Sequence, residues 1–139
     1  MKIITEEIVI SAKGNCDIKD ITGNIQSVVT NSKLTEGSCN IFSIGSTASV
    51  TTIEFEPGLL KDLPKLLDKL IPAFSKYQHN EAWGDNNGHS HLRSALIGTS
   101  LNLPFTKSTL ILGTWQQIVL INFDNKSRDR RVVVQLIGQ

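Results

Sequence analysis

Hydrophobic positions along the chain change period several times, and each change predicts an element. Residues 2–11 alternate and are rich in β-branched side chains (Ile3, Ile4, Ile8, Val9, Ile10), which reads as a strand. Over 17–29, Ile18, Ile21, Ile25 and Val28 recur at helical spacing, with Asp17 or Asp20 as caps; Gly23 weakens that helix without excluding it. Residues 38–44 and 48–55 carry Ile, Val, Thr and Phe and predict two strands joined through Gly45-Ser46-Thr47. Leu59, Leu60, Leu63, Leu66, Leu67, Leu70 and Ile71 recur at three- and four-residue steps, the clearest amphipathic helix in the chain. Pro64 is tolerable there in a first turn and otherwise implies a kink. Residues 90–96 predict a short helix with Leu92, Ala95 and Leu96 inward. The last third reads as strands at 100–104, 109–112, 114–123 and 131–137. The expected fold is α+β, with a largely antiparallel sheet and two or three helices between strand groups. Short links between the C-terminal strands suit hairpins rather than parallel crossovers.

Composition narrows this picture. A chain of 139 residues predicts a single domain, 1–139, and its 40% hydrophobic content can build a core. Net charge is +1, which argues against nonspecific nucleic-acid binding, since that needs a surplus of Lys and Arg. Only 6% of residues are aromatic, so no stacking platform for single strands is expected. Cys16 and Cys39 stand alone, with no metal or redox spacing, and a disulfide between them is left open. The apolar run at the N-terminus is short and interrupted by acids, unlike a signal peptide. No stretch approaches the roughly 20 apolar residues of a membrane span. The expectation is a cytoplasmic protein without membrane or nucleic-acid partners.

Candidate chemistry concentrates in residues 77–98, which hold all three histidines: His79, His89 and His91. Glu81, Trp83, Asp85, Asn86 and Asn87 share the segment. His89 and His91, two apart, face one side if the backbone is extended. His79 completes a three-nitrogen set if the chain doubles back through Gly84 and Gly88, the usual donor count of a catalytic zinc-type site. Asp85 and Glu81 add carboxylates that suit magnesium. A divalent metal, zinc or magnesium, is the expected cofactor. The competing reading is of histidines satisfied by hydrogen bonds in a polar loop.

A second set of residues suits anions. A helix start near Ser90, with Arg93 one turn in, is a natural place for phosphate. Ser46, Thr47, Ser49 and Thr51 supply hydroxyls at a strand junction, although Ser49 and Thr51 are equally ordinary strand residues. The run Ser127-Arg128-Asp129-Arg130-Arg131 offers guanidinium groups for bidentate contact, or else is a solvated turn. Trp115 is a core or subunit-interface residue on priors, and at most one of Gln116 and Gln117 faces any given pocket.

These pieces come in an ordered set: S-T-A-S, T-T-I-E, Y-Q-H, G-H-S-H-L-R-S-A-L-I-G-T-S, L-P-F, L-I-L-G-T-W-Q, F-D and R-R-V-V-V-Q. From about Ile44 to the C-terminus the chain resembles the YjbQ-like family of small bacterial and archaeal proteins, members of which have been described as secondary thiamine-phosphate synthases. The resemblance implies an α+β fold and a homotrimer with pockets at or near subunit boundaries. It implies recurring polar residues at Thr47, Glu54, His79, His91, Trp115 and Gln116. Many members carry a histidine where this chain has Gly45, and His89 is then the candidate substitute. The implied activity joins a pyrimidine diphosphate to a thiazole phosphate with loss of diphosphate, which needs anion clamps and usually a divalent ion.

Residues and resemblance together predict a metal-dependent enzyme acting on a small phosphorylated ligand. His79, His89 and His91 would hold the ion. Glu54, Asp85 and His91 would be catalytic, and Ser46, Thr47, Arg93, Gln116, Arg128 and Arg130 would bind substrate. The alternative is a noncatalytic trimer that binds a small molecule or a partner, because no nucleophile motif, P-loop or dinucleotide fingerprint is present.

Overall fold

The strand-forming runs sort into two antiparallel sheets according to how many of their faces are apolar. The computed structural model describes residues 1–139. It contains β1 (Lys2–Ala12), β2 (Asp17–Asp20), α1 (Thr22–Ser32), β3 (Glu36–Ser43), β4 (Ala48–Glu54), α2 (Pro57–Leu70), α3 (Gln78–Trp83), α4 (Gly88–Ile97), β5 (Ser100–Thr106), β6 (Thr109–Leu110), β7 (Gln116–Asn122) and β8 (Arg128–Gly138). The larger sheet has the order β1-β8-β3-β5-β6 and the smaller β2-β7-β4. Every pairing is antiparallel, so the α+β expectation holds, with four helices rather than two or three.

β7 decides the layering. Ile118 and Leu120 point into the main core with Ile25, Val29, Ile41, Phe105, Val134 and Leu136. Val119, Ile121 and Phe123 belong to a second cluster with Cys16 and Leu67. A strand that is apolar on both faces must lie between two layers. β8 instead alternates buried and accessible positions; its own Ile137, with Ile3, Val9 and Phe42 on the paired strands, remains exposed. The C-terminal strands therefore do not form successive hairpins as expected. β5 and β6 pair, but β7 and β8 part into different sheets because their burial patterns differ.

Two further expectations change. Residues 17–20 are strand, not helix: Asp17 and Ile18 pair with Asn122 and Ile121, and the helix starts at Thr22. Asp20 does support that start, accepting the Thr22 N–H at 3.0 Å. Helix α4 is turned over relative to its expected orientation. Leu92 and Leu96 are exposed, while His89, Ser90, Arg93 and Ser94 face inward. The reason is that hydroxyls on this face satisfy strand-end carbonyls. Ser90 donates to Phe123 O at 2.6 Å and Ser94 to Ala48 O at 2.5 Å. Small side chains also let the helix approach the sheet closely. α2 is amphipathic as expected but keeps only Leu67 fully buried, and Pro64 sits inside it. The segment before α4, expected to be loop, contains the short helix α3.

Cys16 and Cys39 are both free and buried, in different clusters, so the open question of a disulfide resolves to two thiols. Burial pushes Cys16 up to about 11 and Cys39 up to about 12, which keeps both protonated. No helix is long and apolar enough to cross a membrane.

Gly37 and Gly138 face each other across β3 and β8, with the Phe105 ring packed over them. A methyl group on Gly138 would meet the backbone carbonyl of Glu36, which no rotamer change can move. Gly138→Ala is therefore expected to destabilise the fold by about 1–3 kcal/mol, read from the urea midpoint at unchanged m-value.

Candidate functional site

The doubly buried strand β7 ends in polar residues that remain inside the protein. Asn122 is fully buried and Asp124 is 1% exposed. Such groups must be hydrogen-bonded, and their partners build the site. Asn122 donates to the carbonyls of Lys13 and Lys126 at 2.9 and 3.1 Å, and its Oδ1 accepts from Arg130 Nη2 at 2.6 Å. The Asp124 carboxylate accepts from Arg128 Nε at 3.0 Å, Asn87 Nδ2 at 3.3 Å and the Asn125 N–H at 2.8 Å. Thr47 closes the network: it accepts from Arg130 Nη2 at 2.6 Å and donates to Asp124 at 3.3 Å. Burial alone would raise the Asp124 carboxyl. The bonds from the Asn125 N–H, Asn87 and Arg128, with the Arg128 charge, outweigh it and hold the group below its ordinary value.

Two histidines stand beside this network. α3 carries His79 and α4 carries His91, and their ring centroids lie 4.4 Å apart at an interplanar angle of 44°. His79 Nδ1 is buried without a hydrogen-bond partner, and Asp85 Oδ1 lies 3.9 Å from it. His91 is hydrogen-bonded to the backbone of Ser46. Burial, and then the neighbouring His79, lower the His91 pKa; Asp124, Asp85 and the Ser46 bond oppose them without reversing the direction. His91 is thus neutral at neutral pH.

His89 does not join the pair. Residues 88–97 are helical, so His89 and His91 are separated by roughly 200° around the axis rather than sharing a face. His89 is 4% exposed, with Nε2 3.3 Å from Ser90 Oγ. Burial and then Arg93 lower its pKa. Nor does it stand in for a histidine at position 45. The group beside Gly45 is Arg130, whose Nη1 would lie 3.3 Å from a Cβ built there. No group of three or more His, Cys, Asp or Glu side chains is arranged to hold a metal ion, so the three-histidine set is not formed.

The remaining candidates divide by location. Arg93 is engaged elsewhere, donating to Ile71 O at 3.1 and 2.8 Å and to Asp68 at 2.9 Å, where it closes the C-terminus of α2. Arg128 and Arg130 enter the Asp124 network; Arg128 also remains partly exposed. Ser46 is exposed beside His91. Glu54 and Gln116 are cross-strand partners at the far end of β4 and β7. From Ala48 to Glu54 the strand runs roughly 20 Å, too far for these side chains to reach His91 in the same chain. Gln116 bonds Thr52 Oγ1 at 3.0 Å, and Trp115 is 72% exposed next to it. Asp124, Asn122 and Asn87 had no assigned role in the sequence reading. Their signal was a polar pair, Asn122 and Asp124, flanking Phe123 at the end of an apolar strand.

The UPF0047 protein YjbQ-like family model matches residues 6–139. The chain belongs to this family. A UPF0047 protein of Methanothermobacter thermautotrophicus is 34% identical over 139 residues, covering 100% of this chain and 95% of the relative. A UPF0047 protein of Archaeoglobus fulgidus is 31% identical over 131 residues, covering 94% and 99%. A crystal structure of a YbjQ-like protein of unknown function from Sulfolobus solfataricus superposes with a TM-score of 0.94 at 29% identity, covering 99% of both chains. The YjbQ-like architecture is thereby shared over the whole chain, including the strand ends that carry Thr47 and Asp124.

The Asp124 network sets an acid limit on stability. A carboxyl held below its unfolded value stabilises the fold above that value, and the contribution is lost as pH falls through the folded pKa. Asp124→Asn is expected to cost roughly 3 kcal/mol at pH 7, because Arg128 and Arg130 lose their carboxylate. The gap between variant and parent should narrow below pH 4, measured by urea unfolding at both pH values.

Proposed function

We propose that this YjbQ-like protein is an enzyme acting on a small phosphorylated molecule at the junction of His79, His91, Thr47 and Arg130. The observation that carries the reading is the pairing of two close imidazoles, one held neutral, with a buried guanidinium that keeps a donor free. Arg130 binds Thr47 and Asn122 through Nη2, while Nη1 faces the space that Gly45 leaves open. A phosphate oxygen there would receive a charge-assisted bond, and Arg128 adds positive charge nearby. Ser46 holds one ring nitrogen of neutral His91, so its single remaining lone pair takes a proton from a substrate group where no ion is bound and otherwise serves as a metal donor. His79, with an unpartnered Nδ1, and His91 are the residues that would hold a divalent ion, and imidazole favours zinc over magnesium. A bound zinc would supply Lewis-acid stabilisation of charge on a phosphoryl oxygen. Two protein nitrogens leave the remaining positions to substrate, solvent or another subunit. The finer reading is the thiamine-phosphate synthase reaction implied by the family resemblance, the joining of a pyrimidine diphosphate to a thiazole phosphate.

Release of diphosphate from that substrate pair, with and without added zinc, tests the activity. Activity is expected to hold down to pH values below about 6.5, the ordinary histidine pKa, and then to fall as His91 protonates. His91→Ala should lower the rate at least ~100-fold and abolish the acid limb. Full activity in that variant, or no turnover under any metal condition, would remove the proposal.

The assembly is proposed to be a homotrimer in which Glu54 and Gln116 of one chain complete the histidine site of another. Support comes from the separation of these groups within a chain and from exposed Leu92, Leu96, Trp83 and Trp115, an unusual set for an isolated surface. Light scattering should give three times the chain mass. Mixing inactive His91→Ala and Gln116→Ala chains should restore part of the activity, since some interfaces then carry both parent residues; no recovery after verified mixing would exclude a shared site.

A further inference from the structure

At the start of α4 lies a cavity of about 370 Å³ lined by His89, Asn15, Asn80, Asn86 and Asn125, with Phe74 among its walls. That volume falls within the range of small-molecule sites. None of the lining residues is Asp, Glu, Lys or Arg. An uncharged occupant is therefore favoured, since a charged one would find no counter-charge.

The hydrogen-bonding atoms are oriented by chemistry. Ser90 Oγ has one proton and spends it on Phe123 O at 2.6 Å. Its contact with His89 Nε2 at 3.3 Å then requires Nε2 to be the donor. In neutral His89 this leaves Nδ1 as a lone-pair acceptor, and that atom is buried with no partner. Asn80 Oδ1 accepts the Gly88 N–H at 2.9 Å, which leaves its NH₂ as a donor. Asn125 Nδ2 donates to Asp85 O at 2.8 Å, which leaves its Oδ1 as an acceptor. Asn15 and Asn86, both at positive φ (62° and 56°), make no side-chain bonds that would occupy their carboxamides. The Phe74 side chain is fully exposed, a planar apolar face with nothing covering it.

The geometry points to a second binding site here, for an uncharged lactam-type nitrogen heterocycle of nucleobase size. Its ring N–H would donate to Asn125 Oδ1, its carbonyl would accept from the Asn80 carboxamide, and its face would cover Phe74. A polyol fits less well, because its hydroxyls would find no carboxylate acceptors. Neither His79 nor His91 lines this cavity, so its lining is distinct from the site proposed there.

Uracil and hypoxanthine, titrated into the ¹⁵N-labelled protein and followed by NMR, test this, with glucose and inorganic phosphate as comparators. The expected result is saturable shifts at Asn80, Asn86, His89 and Asn125 with at least one heterocycle. Phe74→Ala and Asn86→Gly are both at exposed positions, and glycine suits the φ of residue 86. Each should weaken binding at least fivefold while leaving phosphate and zinc titrations unchanged. Absence of heterocycle shifts up to millimolar concentration, equal affinity in both variants, or a response to glucose alone would overturn the assignment. Loss of turnover in His91→Ala with intact heterocycle binding would separate the two sites.

Discussion

The structure depends on a strand that is buried on both faces and must nevertheless stop inside the protein. β7 can occupy the middle layer only because its apolar residues fill two cores at once. Its last residue, Asn122, and Asp124 just beyond it then face no bulk water. Leaving such groups unpaired costs more than any single hydrogen bond returns, so every neighbouring segment is drawn in to satisfy them. The turn before β4 supplies Thr47, the start of α4 supplies Asn87, and the start of β8 supplies Arg128 and Arg130. The same need for partners that closes the fold also gathers cations and hydroxyls in one place.

This explains why α4 defies its apolar pattern. A helix packed over strand ends meets carbonyls, not methyl groups, and Ser90 and Ser94 answer them. Arg93 reaches the other way and ties α4 to the end of α2. Once those bonds fix the rotation of the helix, Leu92 and Leu96 can only point outward. The exposed leucines are thus a consequence of satisfying polar groups, and burying them requires a second surface.

The sequence made some of this legible. Alternation located β1, and β-branched, β-prone composition located β3, β4 and β8. Periodicity failed at residues 17–20, where Ile18 and Ile21 fit helical spacing and a strand equally well; pairing with β7, a long-range fact, decides. The histidine segment was recognisable, and His79 and His91 do meet. Grouping His89 with them assumed an extended backbone, and a helix reverses that assumption. Asp124 escaped notice because a lone acid after a strand looks like any turn residue until its burial is known.

Gly45 shows how a single position can couple backbone and chemistry. Its φ of +126° is poorly accessible to other residues, and a side chain there would crowd Arg130 Nη1. Arg130 in turn is held in place, because Nη2 donates to both Thr47 and Asn122. The glycine and the guanidinium therefore form one unit: the first leaves the opening, the second supplies the charge within it. Relatives with a histidine at this position would place an imidazole where this chain presents a cation. Under the proposed function, the difference between them would lie in how the site meets an anion.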